Sequence, residues 1–115
     1  MTNLNRLKLY LNNKPYFNDD TYTALLDENG LDAIDDYNKA NDEIPMLETV
    51  YDVLETLSND IETYRKIETE FVTVSAAYSN LESRMEKLKD KIDDLKVENG
   101  TADRITSYMF LNARE

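Results

Sequence analysis

Glycine and proline, the residues that most often interrupt helices, are scarce in this chain. It has two of each among 115 residues. Inside a helix, Gly costs about 1 kcal/mol and Pro about 3 kcal/mol relative to Ala. A chain of this length forms about one domain with a modest core. The sequence therefore predicts an all-α fold, a small helical bundle.

The chain lacks both cysteine and histidine. Disulfides, thiolate nucleophiles, the usual zinc sites and imidazole acid–base catalysis each require one of these residue types. The two glycines, Gly30 and Gly100, are too few for a glycine-rich loop that binds phosphate or a dinucleotide. We therefore expect no enzymatic activity, no cofactor and no bound metal.

The charge of the chain is strongly negative and unevenly distributed. The net charge is -11. Residues 1–17 carry three bases and no acid, residues 18–70 carry sixteen acids and three bases, and residues 71–115 carry eight acids and seven bases. Binding to a nucleic-acid backbone needs clustered Lys and Arg. The acidic centre therefore argues against nucleic-acid recognition.

The hydropathy pattern excludes two kinds of membrane-directed segment. No apolar run approaches the roughly 18 residues of a membrane span. The first eleven residues lack the continuous apolar stretch of a secretory signal. We therefore expect no membrane partner, and synthesis and use in a cytoplasm.

Local patterns in the first third predict two short helices and a loop. Apolar residues three and four apart indicate an amphipathic helix over residues 3–12. Asn18 or Asp19 is suited to cap a second helix, and Gly30 to end it. Residues 31–42 are polar and rich in Asp and Asn, which predicts a loop or a broken helical turn.

The most apolar segment predicts a third helix at the centre of the fold. It begins near Asp42 or Glu43, which puts Pro45 in the first turn, where a missing N–H costs little. Asn59 followed by Glu62 resembles a capping box, so a fourth helix is expected to begin there.

The longest predicted helix runs from Ala76 to about Glu98. Ser75 is the expected N-terminal cap, and Asn99 and Gly100 end the helix. Its apolar residues are alternately three and four positions apart, as in a heptad seam. The seam consists of Tyr78, Leu81, Met85, Leu88, Ile92 and Leu95.

Two arrangements of this seam are open from the sequence: packing within its own bundle and packing against another chain. Charged residues flank it, Arg84 among them, and predict a solvated rim. The eight tyrosines mostly fall in or beside apolar stripes, which indicates packing with the hydroxyl at the rim.

The helical spacing also predicts which side chains form the core. The expected core residues are Leu7, Leu11, Leu25, Leu26, Leu47, Val50, Leu54, Leu57, Ile61, Ile67 and Leu81.

Paired acids occur at three places in the chain. They are Asp19-Asp20, Asp35-Asp36 and Asp93-Asp94. Neighbouring residues on a helix do not face each other, so these pairs lack the convergence that a shared proton or a bound cation needs. We interpret them as solvated surface.

The end of the chain is apolar again after the Asn99-Gly100 stop. Five large side chains cluster there: Ile105, Tyr108, Met109, Phe110 and Leu111. The segment is too short to form its own core, and leaving such a cluster in water is unfavourable. We therefore expect a bundle domain over residues 1–100 and an extended C-terminal docking tail over residues 101–115, whose five apolar side chains bind a partner.

Two stretches of the chain resemble one known family. The first stretch combines Leu7-Lys8 and Leu11 with Asp19-Asp20 and Leu25-Leu26. The second is residues 70–77, Glu-Phe-Val-Thr-Val-Ser-Ala-Ala, followed by Leu81, Arg84 and Leu88. Together they resemble the small head-tail connector, or adaptor, proteins of tailed bacteriophages. The long heptad helix and the loop over residues 12–17 depart from the usual pattern of that family.

The resemblance implies a location, an assembly and a set of partners for this chain. It would be a virion protein, assembled in a bacterial cytoplasm, that forms a homo-oligomeric ring of about twelve copies. The partners implied are the portal protein, the next connector or tail protein, and DNA that passes through the lumen without specific binding. The acidic composition suits such a conduit, because like charge keeps DNA from adhering to the wall.

A second function of a different class fits the same composition. An acidic DNA mimic inhibits a host nucleic-acid-binding protein by presenting carboxylates in place of phosphates. The acids of residues 18–70 would then be the inhibitory surface. A mimic needs neither a ring nor a docking tail.

Overall fold

The computed structural model describes residues 1–68 and 72–99. Within these residues the chain forms five α-helices and no strand, which confirms the all-α bundle with one long helix in the C-terminal half. The helices are α1 (Asn3–Tyr10), α2 (Asp19–Glu28), α3 (Lys39–Ser58), α4 (Ile61–Glu68) and α5 (Val74–Glu98). The predicted tail over residues 101–115 lies outside the described residues.

The start and end of α2 follow the predicted local signals. The Asn18 side chain caps the helix by accepting a hydrogen bond from the backbone N–H of Thr21 at 2.9 Å. Gly30, just past the helix end, has a φ of 79°, in the left-handed region that glycine adopts without strain. Before α2, Asn12 and Asn13 take the same region at φ of 58° and 57°, which Asn tolerates better than most residues.

Helix α3 begins earlier than predicted, at Lys39. Asn38 caps it by accepting a hydrogen bond from the N–H of Ala40 at 3.0 Å. The backbone N–H of Asn38 in turn donates to the Asp42 carboxylate at 2.9 Å. This reciprocal pair stabilises a helix start further upstream, so Pro45 lies inside α3 and not in its first turn.

The cap of the fourth helix lies one residue after the predicted cap, Asn59. Asn59 is the C-terminal cap of α3. Asp60 takes the capping role for α4, because its carboxylate accepts hydrogen bonds from the backbone N–H and the hydroxyl of Thr63 at 3.4 and 2.7 Å.

The cap of α5 is Thr73, and the prediction of Ser75 was wrong. The Thr73 hydroxyl accepts a hydrogen bond from the N–H of Ala76 at 3.0 Å, and its backbone is extended, with φ of -73° and ψ of 161°. A hydroxyl two residues earlier thus satisfies one of the free N–H groups of the first turn. The other end is as predicted, with Asn99 as the C-terminal cap.

The loop between α2 and α3 is hydrogen-bonded to the start of the chain. The N–H groups of Asn3 and Leu4 donate to the carbonyls of Asp35 and Ala33 at 2.8 and 3.0 Å. These N–H groups belong to the first turn of α1 and have no partner inside the helix. The loop therefore supplies the hydrogen bonds that α1 itself lacks. Ile34 nevertheless points to solvent, with 79% of its surface exposed.

The core is centred on α3, which packs against the other four helices. Most of the predicted core residues are fully buried. These are Leu7, Leu11, Leu26, Leu47, Val50, Leu54, Leu57 and Leu81. Three predicted members, Leu25, Ile61 and Ile67, are half-buried and pack against the edge of the core. Buried residues that were not in the predicted set include Tyr16, Tyr22, Tyr64, Met46 and Val53.

The seam of α5 packs within its own chain, against α3 and α4. Leu81 and Ile92 are buried, while Met85 and Leu88 are half-buried against the core. The first predicted position is wrong, because Tyr78 is 42% exposed and Ala77 is buried in its place.

Among residues 1–68 and 72–99, no helix combines the length and the apolar character needed to cross a membrane.

Candidate functional site

An open groove runs between α3 and α5, and we call it the α3/α5 groove. The two helices are antiparallel, since Lys96 near the end of α5 pairs with Glu48 in the first half of α3 at 3.1 Å. The widest part of the groove has a volume of about 590 Å³. The residues that line this part include Tyr51, Ser58, Tyr78, Ser79, Glu82, Met85, Glu86 and Lys89.

The groove continues toward the C-terminal end of α5. A second depression of about 330 Å³ shares Tyr51 and Lys89 with the first. A third, of about 370 Å³, lies between the start of α3 and the last turn of α5, where Leu95 and Asn99 form one wall. The first two depressions share residues, so the α3/α5 groove extends along α5 from Tyr78 to Lys96.

The lining of the groove combines aromatic surface with carboxylates. Tyr51 and Met85 are half-buried, and Tyr78 is exposed. Glu82 and Glu86 are exposed along the same side of α5. Such a surface suits a segment that brings apolar side chains together with basic ones.

A second cluster lies on the opposite side of α5 and centres on Arg84. Its guanidinium donates to the hydroxyls of Tyr16 and Tyr64 at 3.2 and 3.1 Å. It also approaches the Glu68 carboxylate at 3.8 Å. The Tyr16 hydroxyl donates to Glu68, and the Tyr64 hydroxyl donates to Asn80 at 2.6 Å.

This cluster joins three parts of the chain that are distant in sequence. Tyr16 belongs to the loop between α1 and α2, Glu68 to α4, and Arg84 to α5. Burial, together with the hydrogen bond to Glu68, raises the pKa of Tyr16, so the phenol stays protonated and remains a donor. Each polar side chain of the Arg84 cluster has a hydrogen-bond or ion-pair partner within the cluster. We therefore interpret the cluster as an interaction that stabilises the fold.

Arg84 was predicted to lie on a solvated rim, and this was wrong. Its side chain is 27% exposed and lies 5.8 Å from the centre of the Tyr64 ring. The partners Tyr16 and Tyr64 stack on each other with ring centres 5.9 Å apart. Nothing in the heptad pattern marks Arg84 as different from the other charged flanks.

Another cation is held between two aromatic rings near the start of the chain. The Arg6 guanidinium lies 4.8 Å from the Tyr10 ring centre and 4.9 Å from that of Tyr37. Burial, and secondarily the neighbouring Tyr10, raises the pKa of Tyr37 to about 12. Tyr37 is therefore neutral at physiological pH, and the cluster holds the α2–α3 loop against α1.

The acids of α2 and of the loop that follows it are exposed. All seven acidic residues between Asn18 and Asn38 are exposed, and this stretch has no Lys or Arg. Lys8 of α1 pairs with Asp19 at 2.7 Å. In the part of the chain that the structure describes, no group of three or more acidic residues converges to hold a metal ion.

The five predicted partner-binding residues, Ile105, Tyr108, Met109, Phe110 and Leu111, lie outside the described residues. The α3/α5 groove was not predicted, because the sequence shows the apolar seam of each helix but not the gap between their flanks. Comparisons with protein-family models, with curated proteins and with solved structures found no match to this chain.

Proposed function

We propose that this chain is a structural virion protein that forms an oligomeric adaptor ring between the portal and the tail, or the next connector ring, of a tailed bacteriophage. The observation that carries the proposal is the order of its elements. Two short helices come first, and the second of them begins with acidic residues. The helices α3 and α4 follow, and the extended Thr73 then caps a long final helix. This order agrees with the family resemblance of the two sequence stretches.

The charge of the surface supports the same proposal. A ring through which DNA passes needs a wall to which phosphates do not adhere. The exposed acids of α2 and the loop that follows provide such a wall, because they repel the DNA backbone and offer no cluster of bases that would release counterions.

The C-terminal tail supplies the contact with other proteins in this proposal. Its apolar side chains would engage the portal protein or an adjoining copy, with Tyr108 and Phe110 as anchors because aromatic residues dominate such contacts.

The second candidate, a DNA mimic, is favoured by one observation. The seven exposed acids between Asn18 and Asn38 are close enough in sequence to present a dense row of negative charge. The two functions differ in stoichiometry, since a mimic binds its target as a discrete complex and an adaptor assembles as many copies on a portal.

The mass of the assembled particle tests the proposal. We expect the full chain, mixed with a tailed-phage portal protein from the same phage, to form a particle whose mass by native mass spectrometry corresponds to a ring of many copies. A chain shortened after Thr101 should keep its helical circular dichroism, because the described helices end at Glu98, but should fail to join the portal.

A matched pair of variants separates the docking side chains from tail length. The double change Tyr108→Ser and Phe110→Ser should abolish joining, whereas Thr106→Ala with Asn112→Ala should leave it intact. Full assembly of the shortened chain would show that the tail is dispensable. A single copy bound per portal would contradict the ring.

The DNA-repelling surface predicts a negative titration. Duplex DNA added to the chain at low salt should give no complex by fluorescence anisotropy, since binding needs clustered cations. A domain of similar size with a net positive charge serves as the control and should bind with an affinity that falls steeply with salt. Tight, salt-sensitive binding by this chain would contradict the adaptor and the mimic alike.

A further inference from the structure

We infer that residues 104–114 of this chain dock into the α3/α5 groove of the same molecule. This binding site is independent of the adaptor proposal, because it follows from the chemistry of the groove and the reach of the chain. In an adaptor, the same segment would leave the groove when a partner offers a better one.

The groove has unfilled space next to apolar side chains. Tyr78 exposes 42% of its surface there, beside a volume of about 590 Å³. Tyr51 and Met85 present further apolar surface from the two helices. Exposed aromatic surface in a concave site is typical of a place that another segment covers.

The charges of the groove and of the segment are complementary. Glu82 and Glu86 follow the widest part of the groove, with Lys89 beside them. The second depression adds Glu48, Asp52 and Asp93 against Lys89 and Lys96, so acids outnumber bases along the groove.

Residues 104–114 have the opposite character. They begin and end with Arg104 and Arg114, contain no acid between them, and hold all five large apolar residues of the tail, while Asp103 and Glu115 flank the segment. A basic segment with an apolar centre therefore meets an acidic groove with an aromatic floor. This match favours the segment over a random apolar partner.

The reach of the chain fits the length of the groove. Lys96, the last residue of α5 that lines the groove, is three residues before the helix cap Asn99, so residues 100–102 need only reverse the chain. An extended segment advances about 3.3 Å per residue and a helix about 1.5 Å, so each tail residue passes about two residues of α5. On this arithmetic Tyr108 and Phe110 lie between Lys89 and Glu82, and Asn112 lies beside Ser79.

Tethering favours the same molecule as the occupant over a second copy. A linker of a few residues gives an effective concentration in the millimolar range. A second copy at micromolar concentration competes poorly against it. The groove is therefore occupied by its own tail at low protein concentration.

Disulfide trapping tests the inference, and the natural chain has no cysteine to interfere. The test variant carries Ser79→Cys and Asn112→Cys. The control carries Lys87→Cys and Asn112→Cys, since Lys87 is exposed on α5 but does not line the groove. We expect the intramolecular disulfide to form about tenfold faster in the test variant at low micromolar protein, because docking raises the local concentration of the pair.

Charge reversal in the groove provides the second measurement. Adding Glu82→Lys and Glu86→Lys to the test variant should slow the trapping about tenfold, while these exposed changes leave the helical circular dichroism unchanged. Equal trapping rates in the test and control variants would overturn the inference. Disulfide-linked dimers as the main product would overturn it as well, because a second copy would then be the occupant.

Discussion

Replacing Leu54 by Ala is expected to lower the free energy of unfolding by about 2 to 5 kcal/mol. Leu54 is 1% exposed and lies on α3, the helix that contacts all the others. Removing its isobutyl group loses apolar burial and leaves a cavity, because the surrounding helices close only partly around the gap. Urea denaturation followed by circular dichroism measures the loss.

Leu9→Ala is the matched control for this change. Leu9 has the same side chain but is 45% exposed on α1, so its replacement should change stability by less than about 0.5 kcal/mol. If Leu54→Ala were as mild as Leu9→Ala, the face of α3 assigned to the core would be wrong. The difference between the two variants is a measure of burial, since the chemical change is the same.

The parts of the fold that were predicted correctly depend on local chemistry. Asn18 caps α2 and Asn99 ends α5 because each uses hydrogen bonds within a few residues of itself. Gly30 takes a positive φ for a reason that is internal to the residue. Signals that act within a few residues of one another can be read directly from the sequence.

Errors arose where several local signals compete. Asn38 and Thr73 are caps that displaced the expected starts of α3 and α5. At the start of α5 the heptad spacing predicted that Tyr78 faces the core. In the structure Tyr78 is exposed, and its small neighbour Ala77 is buried. Tertiary contact decides which of two adjacent residues faces the core, and the spacing alone does not.

The candidate sites depend on contacts that have no local signal. Arg84 and Tyr16 are 68 positions apart, and their hydrogen bond exists only because α5 passes the α1–α2 loop. Likewise, the α3/α5 groove results from the angle and separation of two helices. Residue patterns indicate which face of each helix is apolar. They do not indicate how much space remains between two packed helices beside their contact.

The largest expected loss elsewhere in the fold is at Tyr64. Its side chain is 1% exposed, stacks on Tyr16, donates to Asn80 and accepts from Arg84. Tyr64→Ala should lower the free energy of unfolding by about 3 to 5 kcal/mol, as for other buried aromatic residues. The change leaves a cavity and also removes a partner from a guanidinium that is largely shielded from water.

Tyr64→Phe separates these two contributions, because it keeps the ring and removes only the hydroxyl. Leaving Arg84 and Asn80 without that hydroxyl should cost about 1 to 3 kcal/mol. Tyr78→Ala is the control, since Tyr78 is 42% exposed on α5 and its loss should cost less than either change at Tyr64. Urea denaturation of the three variants should therefore rank Tyr64→Ala above Tyr64→Phe above Tyr78→Ala. A Tyr64→Phe variant as stable as the natural chain would mean that the Arg84 cluster contributes packing but no net hydrogen-bond energy.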